Sequence, residues 1–153
     1  MKVTNEKEMV KKALIGMRKY LIDQDEIKLI YEISDNYQAI CDDTTHLEFA
    51  EDNGIYVFYR NEELIYIGYS DQYSKGGIGK RVKSHYIVQN GKVHFEWNIA
   101  NYEIDDIDDL IGNGFNVMTI KIEPSFCSSL IETYLLTAYY KHYGRLPIFN
   151  RKI

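Results

Sequence analysis

Gly54-Ile55-Tyr56-Val57-Phe58-Tyr59, the polar turn Arg60-Asn61-Glu62-Glu63, and Leu64-Ile65-Tyr66-Ile67-Gly68-Tyr69 form the stretch on which the fold depends. Both flanking runs are dense in aromatic and β-branched side chains, which pack well on a pleated surface, and the residues between them suit a reversal. The stretch predicts a β-hairpin that carries a tyrosine on each strand.

Upstream, from Asn5 to about Ile22, the apolar residues Met9, Val10, Ala13, Leu14, Met17, Tyr20 and Leu21 recur at three- and four-residue intervals, the period of an amphipathic helix. Residues 23–53 are acidic, with ten Asp/Glu facing only Lys28, and their periodicity permits either a short strand or a helix. Downstream, Gly76-Gly77-Ile78-Gly79 reads as a flexible turn, and Lys80 to Gln89 has helical spacing through Val82, Tyr86 and Ile87. Val93, Phe95, Trp97 and Ile99 alternate with polar residues, and 115–122 forms a second extended run, so two further strands are expected. Between them, Ile104 to Leu110 reads as a short acidic helix closed by Gly112. Ser125 to Tyr143 carries Leu130, Ile131, Tyr134, Leu135, Ala138 and Tyr139 at helical spacing, with Pro124 before it and Gly144 after it as start and stop signals. The expected fold class is mixed α+β: a small, mainly antiparallel central β-sheet flanked by helices. An acidic, partly helical N-terminal extension over 1–53 precedes the main domain at 54–153.

A chain of 153 residues, 45% hydrophobic and 27% charged, can bury a core as one globular unit. Cys41 and Cys127 stand far apart with no paired Cys/His spacing, which excludes a zinc ribbon and a disulfide framework and suggests free thiols. The N-terminus lacks a secretory apolar stretch and no segment reaches the length of a membrane span, so a cytoplasmic protein is expected. The net charge of −5 speaks against a nucleic-acid binder only as an average. Residues 1–53 hold 7 Lys/Arg against 12 Asp/Glu, whereas 54–153 hold 11 of each. Lys75, Lys80, Arg81, Lys83 and Lys92 share one window free of acid, and Lys141, Arg145, Arg151 and Lys152 share another, so two local surfaces suit a phosphate backbone.

The two tripeptides Gly54-Ile55-Tyr56 and Tyr66-Ile67-Gly68 are followed, in order, by Arg81 and His85 four residues apart, by Glu132 amid Leu130, Ile131, Leu135 and Leu136, and by Asn150 after Leu146-Pro147. On a continuous helix Arg81 and His85 would share a face one turn apart. Glu132 among so many apolar neighbours needs a partner if it is partly buried. Together these residues resemble the GIY-YIG nuclease superfamily over about residues 54–150. The resemblance implies a GIY-YIG-like domain that hydrolyses phosphodiester bonds, most simply in DNA, by a one-metal mechanism. It makes Tyr56 the general base and Glu132 the ligand of Mg²⁺ or Mn²⁺. Arg81 would clamp the scissile phosphate, Tyr66 would bond a phosphate oxygen or the attacking water, His85 would orient Tyr56, and Asn150 would tie Glu132 or the backbone in place. Lys75, Lys80 and Lys83 are the expected nucleic-acid contacts. Where relatives place a lysine directly after the second glycine, this chain has Tyr69 and Ser70. The Gly76-Gly77-Ile78-Gly79 run lacks the Gly-Lys-Ser/Thr ending of a nucleotide-binding loop. The implied protein is a compact monomeric or homodimeric endonuclease; the rival is a non-catalytic module of the same shape, binding nucleic acid or protein.

Overall fold

The computed structural model describes residues 6–23, 30–38, 47–60, 63–71, 73, 76–84, 86–89, 92–95, 115–147 and 150. In chain order these form α1 (Glu6–Asp23), β1 (Ile30–Gln38), β2 (Gly54–Arg60), β3 (Glu63–Ser70), α2 (Gly77–Lys83), β4 (Tyr86–Gln89), β5 (Lys92–Phe95), β6 (Phe115–Glu123) and, after a 3₁₀ turn at Ser125–Cys127, α3 (Ser128–Tyr143). The expected α+β class holds. One four-stranded sheet runs β1-β6-β2-β3 with every neighbour antiparallel, and β4 pairs with β5 in a separate ribbon.

The hairpin is the centre of this sheet's chemistry. Tyr56 stands opposite Gly68 and Phe58 opposite Tyr66, and the register slips after Phe58 so that Tyr59 meets Leu64. That bulge restores the alternation of the two strands. Ile55, Val57, Tyr59, Leu64 and Ile67 then share one face with Met118, Ile120 and Ile122 of β6. Onto it pack Met9, Val10, Leu14 and Met17 of α1 and Ile131, Leu135, Leu136 and Tyr139 of α3, all nearly or wholly buried. The opposite face carries Tyr56, Phe58, Tyr66, Val117 and Thr119, against which α2 lies with Ile78 and Val82 fully buried.

Met9, Val10, Leu14 and Met17 of α1 therefore belong to the same core as the hairpin. The acidic stretch also supplies β1, which pairs with β6 from Ile30↔Glu123 to Gln38↔Phe115. The helix expected over 80–89 is corrected at both ends. It begins at Gly77, stops at Lys83 with Ser84 as its cap, and Tyr86–Gln89 is strand β4. Tyr86-Ile87-Val88 is aromatic and β-branched, and Asn90-Gly91 between β4 and β5 is the sequence signature of a two-residue hairpin turn, which outweighs the helical spacing. Of the strand expected over 93–99, Lys92–Phe95 is seen. The acidic helix expected at 104–110 and Cys41 lie outside the described residues, while Cys127 is buried and free. α3 ends as anticipated, with Gly144 in the left-handed conformation at φ 71° and its N–H donating to the Tyr140 carbonyl at 2.8 Å.

Among the described residues, the outer edge of β3 is closed by side chains. Asn150 accepts from the Ile67 N–H at 2.8 Å and donates to the Ile67 carbonyl at 2.9 Å, reproducing one strand pairing with a single amide. Further along, the Leu64 N–H donates to Glu6 Oε1 at 3.2 Å.

Candidate active site on the tyrosine face of the sheet

Two tyrosines meet because of how the hairpin registers. Tyr56 and Phe58, two residues apart on β2, point to the same side, and Phe58 stacks on cross-strand Tyr66 at 6.1 Å between ring centroids. Tyr56 and Tyr66 lie diagonally, their centroids 6.2 Å apart. Gly68 explains why they converge. A Cβ there would stand 2.4 Å from Tyr56 Cζ and 2.5 Å from its hydroxyl, so the ring lies flat across β3 where only glycine leaves room. Gly54 answers a different need, since a Cβ at that position would run into the Ile120 carbonyl of β6 at 1.8 Å.

Arg81 and Glu132 complete the group from two helices. Arg81 emerges from α2 and donates a hydrogen bond to the Tyr56 oxygen, which also accepts from the Tyr66 hydroxyl. α3 packs on α1 and on β3, and Glu132, one residue beyond fully buried Ile131, is half-buried with its charge felt by both tyrosines. Burial pushes both phenols well above the usual range and outweighs the help Tyr56 receives from Arg81, so both are neutral near pH 7. Burial also raises the Glu132 carboxyl from 4.5 to about 7, against the opposing pull of Arg81. No hydrogen-bond donor to Glu132 is found among the described residues.

The structure thus brings together Tyr56, Tyr66, Arg81 and Glu132 from four elements. Asn150 stays out of this group and ties down the backbone of Ile67, between Tyr66 and Gly68, so it positions the strand. His85 and Lys75 lie outside the described residues, and α2 itself ends at Lys83. Lys80 and Lys83 are exposed on α2 and line a groove next to the 47–52 turn. The α2 start cannot cradle a phosphate, because the Ile78 and Gly79 N–H groups are taken by the Asp52 and Ala50 carbonyls at 2.8 and 2.7 Å.

A second polar cluster was missed from the sequence. Glu6 of α1 is 9% exposed and accepts from the Leu64 N–H and the Tyr139 hydroxyl, while Arg145 donates to Tyr139 at 2.7 Å and lies 3.7 Å from Glu6 Oε2. Its signal was present, since Glu6 falls in phase with Met9, Val10, Ala13, Leu14 and Met17 on the apolar stripe.

Among the described residues no group of three or more His, Cys, Asp or Glu is placed to hold a metal, and no helix is long and apolar enough to cross a membrane. A cation here would rest on Glu132 alone, with water and substrate completing its shell. The carboxylate, the two phenol oxygens in its group and the charge penalty that burial imposes on it suit a hard divalent ion, with Arg81 as the cationic neighbour it would share the site with. No family model, curated protein or solved structure matches the chain.

Proposed function

We propose that the protein is a GIY-YIG-type endonuclease that hydrolyses phosphodiester bonds in nucleic acid, DNA in the first instance, with Mg²⁺ or Mn²⁺ held by Glu132. The observation that carries this reading is the half-buried Glu132 carboxylate, raised to about 7, set against two buried tyrosine hydroxyls and one arginine that its charge reaches. A divalent cation bound there would offset charge on the phosphoryl oxygens and on the leaving alkoxide. Arg81 would bind a non-bridging phosphate oxygen through its planar donor fork. Tyr66 would hold the Tyr56 oxygen in place, and Tyr56, once its own phenolic proton has passed to solvent, would take the proton of the attacking water. Arg81 and Tyr66 already donate to that oxygen, so any charge placed on it is partly compensated before substrate arrives. Asn150, by fixing Ile67, would keep Tyr66 in register.

The test is nicking of supercoiled plasmid in Mg²⁺ or Mn²⁺ at low salt, comparing the wild type with Glu132→Ala. The wild type should nick, and the variant should lose at least about 10²–10³-fold in rate, the scale seen for removal of one transition-state stabiliser. Absence of nicking on DNA and RNA substrates alike would overturn the reading. One observation favours a second reading, a non-catalytic interaction module: Tyr56 is wholly buried and its phenol is held neutral. Tight, metal-independent binding without turnover would establish that alternative.

A further inference from the structure

Beside α2, and separate from the tyrosine group, lies an open groove of about 570 Å³ lined by Leu47, Phe49, Ala50, Glu51, Asp52, Gly76, Gly79, Lys80 and Lys83. Its volume is within the range of pockets that hold small organic ligands. Its floor is apolar, from buried Leu47, partly buried Phe49 and Ala50, and its wall includes Gly76 and Gly79. One rim carries Lys80 and Lys83, three residues apart and exposed on the same helical face, with no ion-pair partner among the described residues. On the other rim Asp52 lies 3.7 Å from Lys121, which also contacts Glu123 at 3.3 Å, and Glu51 is exposed.

Phe49 has φ 62°, the only non-glycine positive φ among the described residues. A bulky side chain in that region costs roughly 1–3 kcal/mol and persists where something compensates for it. The turn around it is firmly tied, with Ala50 N–H donating to Leu47 at 3.2 Å and Asp52 N–H to Phe49 at 3.0 Å. A residue such as asparagine would meet the same backbone demand at less cost.

We propose that this groove binds a nucleotide, the base stacked on Phe49 and the phosphate between Lys80 and Lys83. Stacking and paired cations are the two contacts a sequence-tolerant single-strand site requires. The nucleotide comes from the strand being processed. α2 turns Arg81 about 100° from Lys80, so the helix offers one side to the tyrosine group and another to the groove, and a strand crossing α2 meets both. That assignment of source rests on the nuclease reading; the nucleotide chemistry of the groove does not.

The test measures binding in metal-free buffer by fluorescence anisotropy, comparing a twelve-residue oligothymidine with a twelve-residue abasic deoxyribose-phosphate chain. The wild type should prefer the oligothymidine by about tenfold or more, in keeping with the stacking contribution of a single base. Phe49→Asn, which keeps the left-handed backbone and removes the ring, should abolish that preference while melting no lower than the wild type; Phe49→Gly serves if the asparagine variant fails to fold. Lys80→Gln with Lys83→Gln should weaken both ligands and reduce the log–log salt slope by about 0.7, as expected for one phosphate contact on a single strand. Displacement by micromolar thymidine monophosphate would assign the groove to a free nucleotide, and no displacement at millimolar levels to a strand. A base preference that survives in Phe49→Asn would overturn the proposal even if plasmid nicking is intact, and loss of nicking with the preference retained would fault only the nuclease reading.

Discussion

Two glutamates in this protein have nearly the same neighbours and opposite circumstances. Glu6 lies with Tyr139 and Arg145, and Glu132 with Tyr56, Tyr66 and Arg81; each carboxylate sits on a helix beside β3. Glu6 accepts from a backbone N–H and a phenol and is ion-paired with a guanidinium at 3.7 Å, so its charge is compensated and its helix is bound to the sheet. Glu132 has burial without donors, which is why its carboxyl rises to about 7. The Tyr139 phenol is likewise raised, by burial first and then by its bond to Glu6. The same residue types therefore make a fastening in one place and a reserve of unmet charge in the other, and the difference lies in the donors.

The contrast breaks most sharply at Gly68. Gly68→Ala puts a methyl group 2.4 Å from the Tyr56 ring and must displace it, so nicking should fall by about 10²-fold, the scale of a 1 Å misplacement. The Glu6 cluster, which does not depend on that ring, should keep α1 docked, as hydrogen exchange at Leu64 would report. Unchanged nicking would mean that the Tyr56 position does not matter to turnover.

Glu6→Ala is the complementary change. It strips the Leu64 N–H and the Tyr139 hydroxyl of their acceptor and should destabilise the protein by about 2–3 kcal/mol, with turnover per folded molecule preserved. Denaturant melts and active-site titration check both halves, and a loss of turnover beyond the loss of folded protein would refute the separation of the two clusters.

The smallest effect concerns acid. Because the folded carboxyl of Glu132 titrates near 7 and the unfolded one near 4.5, the native state binds more protons between those values and its stability falls as pH rises through that window. Glu132→Gln should remove this dependence and stabilise the protein at pH 8 by roughly 1–2 kcal/mol, after allowance for solvent screening. Melting at pH 4.5 and pH 8 in metal-free buffer measures it. A wild type that gains stability on going from pH 4.5 to 8, relative to the variant, would contradict the direction.

What the sequence disclosed follows the range of the interactions involved. The hairpin, α1 and α3 were legible because their patterns are local: alternation at 54–69, helical stripes at 5–22 and 125–143, and the Gly144 stop. β1 was not, because Ile30–Gln38 is acidic and is extended by its pairing with β6, more than seventy residues away in the chain. The end of α2 was misplaced because Val82, Tyr86 and Ile87 fit a helical spacing that the strand preference of 86–89 overrides. Within the site, Tyr56, Tyr66, Arg81 and Glu132 were readable by their order, whereas the bond from Asn150 to Ile67 and the backbone of Phe49 depend on three-dimensional closure and left no mark in composition.

The Asn150 contact also sets a timetable. Its amide reaches back across 83 residues to Ile67, so at the usual 5–20 residues per second a nascent chain carries β3 for roughly 4–17 s before its edge can be closed. During that interval the Ile67 N–H and carbonyl are open to any extended segment that comes near. The Asn150 contact thus withdraws this strand edge from its surroundings only well after the strand itself has been made.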